Sequence, residues 1–288
     1  MKLRKPFKTV VLVLIWGWIL LFVLAPNLLV VMTSFLTRDD AHFIRWQATL
    51  ENYLRLFDPD YLAVFGHSFY MALVTTLLCL LVGYPFAYLL SRLRAGVKPY
   101  LLFLVIVPFW TNSLVRTYAM KLLIATNGLV NQTLLGLGWI DTPLRLLYTE
   151  TAVIVGLFYV LLPFMILPLY AIFEQLRPEL LEASGDLGAG TWQTFRRVVL
   201  PLTMPGIIAG CLLVLLPAVG MFYVGDVLGG AKNLLIGNVI KNQFLDARDW
   251  PFGAAISLLL TLAMAMLLYA YYLSVRLIRR PHAHAELA

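Results

Sequence analysis

Charge is what this chain has least of. Only 13% of its 288 residues are Asp, Glu, Lys or Arg, where soluble domains carry roughly 25%. A water-soluble fold is thereby a poor reading. Cysteine is nearly missing too: Cys79 and Cys211 both fall inside uncharged runs and read as small packing residues, not as a disulfide. The four histidines show no metal-ligand spacing, since His42 and His67 stand alone and His282 and His284 lie in a tail. A catalytic triad, a G-x-x-x-x-G-K-[ST] phosphate loop and a G-x-G-x-x-G fingerprint are also missing, and Gly229-Gly230-Ala231-Lys232-Asn233 resembles a phosphate loop only superficially. These absences leave no basis for a metal, a nucleotide or an enzymatic centre on this chain.

Long uncharged stretches are abundant instead. Residues 9–37, 61–91, 99–115, 151–173, 198–225 and 250–275 contain no Asp, Glu, Lys or Arg. A helix needs about 20 residues to cross the roughly 30 Å hydrocarbon core, and all six runs reach or approach that length. They do not alternate as the strands of a membrane barrel would. The first run is long for a signal peptide. We therefore expect an all-α integral membrane protein with six spans, near 9–33, 64–90, 99–122, 151–174, 205–225 and 253–276, in one transmembrane domain. Multiple passes imply contact with membrane lipid.

With six spans both termini share a side, and basic residues orient them. The N-terminus, 92–98, 174–205 and the C-terminus together hold thirteen Lys or Arg, and the opposite side holds nine. The first side is expected to be cytoplasmic, both termini included. That places the polar stretch 175–204 in the cytoplasm. Residues 38–60 and 227–248 become outer loops, and 126–148 reads as a short outer helix and loop. Its Asn131-Gln132-Thr133 matches a glycosylation sequon.

Proline recurs within or near most spans, at Pro85, Pro108, Pro163, Pro168 and Pro217. Each removes a backbone donor and crowds the preceding turn. In lipid such breaks are tolerated where neighbouring helices or a water-lined cavity satisfy the backbone. Kinked helices around a path are one reading; the general frequency of proline in membrane helices is the other.

The stretch 175–204 has internal grammar. Pro178 suits the first turn of a helix, which Gly188 and Gly190 end through the left-handed conformation. Thr191 can cap a second short helix, 192–200, stopping before Pro201. Glu179, Glu182 and Asp186 fall on one face of the first helix. An acidic face fits a basic partner; a solvated hairpin fits equally.

The sequence Glu182-Ala183-Ser184, Gly188, then Val198-x-Leu200-Pro201 resembles the cytoplasmic loop signature of the membrane subunits of ATP-driven bacterial importers, the binding-protein-dependent permeases. Ser184 stands where the pattern has a second alanine, and Val198 where it has isoleucine. The resemblance implies a type I ABC importer architecture in the bacterial inner membrane. It also implies that Glu182, Ala183, Ser184, Asp186, Gly188, Leu200 and Pro201 form a coupling helix seated on a separate ATPase. ATP and Mg would then lie on two ATPase subunits, with no cofactor on this chain. A second, related permease and a periplasmic binding protein complete the implied assembly, without nucleic acid.

Residues 108–118 (PFWTNSLVRTY), 222–230 (FYVGDVLGG), 233–240 (NLLIGNVI), 250–255 (WPFGAA) and 33–40 (TSFLTRDD) resemble the permeases of polyamine importers, spermidine and putrescine among their substrates. A polyamine path should offer carboxylates and aromatic faces. Trp110, Asn112, Tyr159, Phe222, Tyr223 and Asp226 are the candidates, although aromatics at such depths also form interfacial belts. Arg116 and Lys121 oppose a cationic path unless they snorkel or pair, Arg116 with Asp226. No carboxylate lies deep in any span, so selection falls to the binding protein. The alternatives are an importer permease for another small solute and an ion-coupled carrier, which often buries ionisable groups at the midplane.

Overall fold

The computed structural model describes residues 5–39, 43–230 and 233–279. The two termini, whose side was expected from charge, lie outside those residues, as do Asp40, His42, Lys232, His282 and His284. Contacts divide the chain into two compact units, Met1–Leu62 with Val239–Met266, and Ala63–Asn238 with Leu267–Ala288.

Among the described residues, five helices are long and apolar enough to cross a membrane: α1 (Thr9–Ser34), α3 (Pro59–Arg92), α7 (Glu150–Glu174), α9 (Thr191–Gly220) and α11, whose membrane-length part is Trp250–Leu273. Lys98–Trp110, here α4, meets the following helical segment Ser113–Gly136 at 96°, and this bent pair makes a sixth crossing if it is counted as one broken span. That segment consists of α5 (Ser113–Ile124) and α6 (Leu129–Gly136). The short elements are α2 (Glu51–Arg55), α8 (Pro178–Asp186) and α10 (Ile236–Leu245), with an antiparallel pair β1 (Leu36–Asp39) and β2 (Phe43–Ala48).

The first unit is held by polar contacts beside its apolar helices. Asn52 donates through Nδ2 to the carbonyls of Ser34 and Leu36, at 3.0 and 2.9 Å. Arg55 pairs with Asp249 at 2.8 Å and lies 3.9 Å over the Phe252 ring. Asp249 in turn accepts from the Phe252 N–H at 3.2 Å, so one carboxylate neutralises Arg55 and caps α11. The expected outer loop 38–60 thus contains a β-hairpin and a helix.

The second unit is built on α7. Its face Val153, Leu157, Leu161, Met165 and Leu169 is fully buried, at the four-residue spacing of a helical stripe. Helix α9 approaches it closely through glycine: a Cβ on Gly206 would lie 2.5 Å from Ile172, and one on Gly210 would lie 2.7 Å from Met165 Sδ. Small residues four apart let membrane helices pack backbone to backbone. Helix α3 adds Met71, Ala72 and Cys79 to the core. Cys79 and Cys211 are both free thiols.

Two expected helix boundaries are corrected. The third span is not one helix over 99–122. Pro108 sits in a 3-10 turn, Val107–Trp110, Thr111 is extended, and Asn112 starts a new helix by accepting the Leu114 N–H at 2.9 Å. A 13-residue α4 is about 20 Å long, short of the hydrocarbon core. The second correction is at Pro201, which does not end a helix. The π-turn Phe195–Val199 precedes it, and α9 runs unbroken from Thr191 to Gly220. Proline near the start of a regular turn needs no N–H, and the widened turn accommodates its ring. The fifth span therefore ends at Gly220, not near 225.

Candidate functional site

Two regions carry the polar chemistry of the second unit. The first is a cavity of about 380 Å³ beside the break in the third span. Thr111, Asn112, Ser113 and Arg116 line it from the broken helix, Val160 and Phe164 from α7, and Met221 and Tyr223 from the chain beyond α9. The break itself provides the opening. Thr111 is extended, and both Thr111 and Asn112 are exposed. Phe109 packs edge-on against Phe164, ring centres 4.9 Å apart, and ties α4 to α7.

Arg116 lies one turn into α5. Its guanidinium stands 5.9 Å from the Tyr159 ring centre. Its Nε and Nη1 are buried without a hydrogen-bond partner among the described residues. The expected Arg116–Asp226 pair does not form. Asp226 instead accepts from Asn238 Nδ2 at 2.6 Å, because the turn Gly225–Gly229 is fastened to the start of α10. Lys121 sits 5.7 Å from the Tyr148 ring.

Asn238 does that fastening. It is wholly buried, accepts the Leu235 N–H at 2.9 Å and donates to the Phe222 carbonyl at 2.8 Å. Gly225 lets it come so near, since a Cβ there would lie 2.5 Å from Asn238 Oδ1. Asn131 plays the same part in the loop between α6 and α7, bonded to the carbonyls of Ala125 and Leu144 and to the Leu144 N–H. Fully buried and bonded at both ends of its amide, it is no glycan acceptor.

The second region is the hairpin of α8 and the start of α9. Pro178 opens α8, Leu187 caps it, and Gly188 turns the chain at φ +77°. Gly190 has φ −69° and precedes α9 as its cap residue, the place assigned from sequence to Thr191. Ser184 Oγ meets Thr194 Oγ1 at 2.8 Å and locks the two arms together. Glu179, Glu182, Ala183 and Asp186 are exposed, and Leu187 is 88% exposed. The hairpin's root is gripped by α3, where Tyr84 OH meets Thr203 Oγ1 at 3.0 Å and its ring packs edge-on to Phe173 and Phe195. The hairpin is thus continuous with α9 and tied through Tyr84 to α3.

Residues 2–280 match the family of binding-protein-dependent transport system inner membrane components. The chain belongs to that family. It is 58% identical over 280 residues to the spermidine/putrescine transport system permease protein PotB of Salmonella typhimurium, covering 97% of this chain and 98% of that one. With PotB of Escherichia coli it shares 59% over 269 residues, covering 93% and 98%. The fold resembles a subunit of the bacterial alginate ABC transporter in complex with its pentasaccharide-bound periplasmic protein, with TM-score 0.77, 17% identity and 96% of each chain covered. The chain is accordingly a multi-pass inner-membrane permease subunit of an ABC importer, and not itself an enzyme.

The permease brings only part of the candidate path together. Asn112 and Tyr223 line the cavity, and Tyr159 stands next to it under Arg116. Trp110 does not: it is 72% exposed and packs edge-on to Phe103. Asp226 is bonded to Asn238, and Phe222 gives Asn238 its carbonyl while its ring packs edge-on to Tyr223 of the cavity wall. In the hairpin, Glu182, Ala183, Ser184, Asp186 and Gly188 share one turn-helix unit. Leu200 and Pro201 lie beyond it, within α9. Asn238 and Ser68, which donates to Val64 and accepts the Ile236 N–H at 2.8 Å, escaped the sequence reading. Lone polar residues in apolar runs were the available signal.

Proposed function

We propose that this permease passes polyamines, spermidine and putrescine among them, from a periplasmic binding protein across the inner membrane. The 58% identity over nearly the full length to a permease named for those substrates carries the reading. Two separate ATPase subunits with ATP and Mg drive the cycle, and a second, related permease completes the path. The chain forms one transmembrane domain with both termini cytoplasmic, and residues 175–204 are its cytoplasmic contact with an ATPase. Glu182, Ala183 and Asp186 offer an acidic, exposed surface, and Leu187 adds an apolar knob. A charged rim around an apolar anchor suits a transient protein groove.

The cavity chemistry supports a pathway that does not trap its cargo. A polyamine would gain from carboxylates and ring faces, yet the cavity wall contains a guanidinium and no carboxylate. Cargo selection then rests with the binding protein, and the membrane path favours release. The test is ATP-dependent uptake by the reconstituted importer with unlabelled competitors. Spermidine and putrescine should compete, and an inorganic anion should not. Competition by the anion alone would overturn the polyamine assignment.

A further inference from the structure

An open cavity of about 820 Å³ lies between the last turns of α3 and the hairpin of α8 and α9, a size at which small-molecule sites are built. Tyr84 and Tyr88 wall it from α3, Leu181 and Gly185 from α8, and Trp192 and Phe195 from α9. Its chemistry is apolar and aromatic. Tyr84 and Tyr88 are braced edge-on against Phe173, and Trp192 stacks on Phe195 with ring centres 5.5 Å apart. Two of the lining hydroxyls are already engaged, Tyr84 with Thr203 and Thr194 with Ser184. Among the described residues lining this space there is no acidic side chain. Trp192 is 70% exposed, and an open apolar surface of this kind marks a place where something binds.

Charge marks the level of this cavity in the membrane. Arg92 is the first charged residue after the uncharged run 61–91, and Arg197 is the last before the run 198–225. Helices α3 and α9 therefore both cross the membrane surface beside it, where hydrocarbon gives way to headgroups. Arg92 follows Tyr88 by one turn, and its guanidinium carbon lies 5.4 Å from the Tyr88 ring centre. Arg196 follows the cavity residue Phe195, and both arginines are exposed. We propose that the cavity binds one anionic phospholipid, with an acyl chain between the tyrosines of α3 and Trp192 and its phosphate on Arg92. Arg196 adds positive charge nearby. A guanidinium matches a phosphate in charge and in its forked donors, and basic pockets between membrane helices take anionic headgroups. A polyamine suits the place poorly, because the rim is cationic and Arg92 already stands over the Tyr88 face. The lipid would join α3 to the hairpin at the same place as the Tyr84–Thr203 bond. The inference rests on the chain being a membrane permease, and not on which cargo it moves.

The test is tryptophan fluorescence of the complete importer in phosphatidylcholine vesicles, into which phosphatidylglycerol or phosphatidylcholine with brominated acyl chains is titrated. Bromine quenches an indole that it touches. The signal of Trp192 is the difference between the unsubstituted importer and one carrying Trp192→Phe. The result expected is quenching of that signal by brominated phosphatidylglycerol at about a fivefold lower mole fraction than by brominated phosphatidylcholine. Arg92→Gln should bring the two lipids within about twofold of each other. Gly185→Leu should fill the cavity from its own wall, since a Cβ at Gly185 meets nothing within 4 Å, and should weaken quenching by both lipids. Equal quenching by the two lipids in the unsubstituted importer would overturn the proposal, leaving Trp192 an ordinary lipid-facing ring. No quenching would overturn it too, and would show that another subunit covers Trp192. A preference unchanged by Arg92→Gln, or quenching unchanged by Gly185→Leu, would also contradict it. A different cargo would leave every one of these signals as it is, so failure of the polyamine reading is distinguished from failure of this one.

Discussion

At the scale of single residues, amides do the work that charge does in soluble proteins. Asn238 is the strongest case, because one wholly buried side chain holds the Leu235 amide, the Phe222 carbonyl and the Asp226 carboxylate. Alanine there removes all three bonds and leaves buried groups unsatisfied. We expect Asn238→Ala to cost about 2–4 kcal/mol, measured as a lower midpoint of thermal unfolding in detergent. A change below about 0.5 kcal/mol would mean that water replaces the amide without loss. Sequence reading could not single Asn238 out, since its partners lie 3 to 16 positions away and its value comes from Gly225 leaving room. Gly188 is the opposite case. A glycine ten positions past Pro178 needs no tertiary information to be recognised as a turn, and its φ is +77°.

At the scale of elements, locality again separates what could be read from what could not. The hairpin carries its own punctuation in Pro178 and Gly188, and α8 begins and turns where those residues place it. Pro201 misled because the π-turn before it accommodates the proline ring, so the helix continues where a regular turn would have stopped. The broken third span was written in Pro108 and Asn112, but uncharged length argued for continuity, and length alone does not encode a bend. The β-hairpin and the Arg55–Asp249 pair were out of reach, since those two residues are 194 positions apart. One prediction belongs here. Ser184 and Thr194 join the arms of the hairpin of α8 and α9 at 2.8 Å, so their alanine variants should be non-additive. A double-mutant cycle on detergent unfolding should give a coupling of about 0.5–1.5 kcal/mol. Strict additivity would show that the hydroxyl contact does not lock the hairpin.

At the scale of the whole molecule, a chain with few charges gathers its polar chemistry into a few regions. The acidic face of α8 is exposed, and Arg116 keeps Nε and Nη1 buried without a hydrogen-bond partner among the described residues. The apolar helices between them expose hydrophobic side chains as lipid-facing helices do. The central claim is that the hairpin transmits work from an ATPase to α9, which begins in it, and to α3, which grips it through Tyr84. The most direct measurement is paired uptake and ATP hydrolysis by the reconstituted importer with Glu182→Lys. Reversing an exposed charge leaves the core of the permease untouched, so the protein should insert normally. The account predicts uptake reduced by at least about tenfold, the size of a lost interfacial charge contact, with hydrolysis no longer matched to transport. Uptake and hydrolysis both unchanged would contradict it.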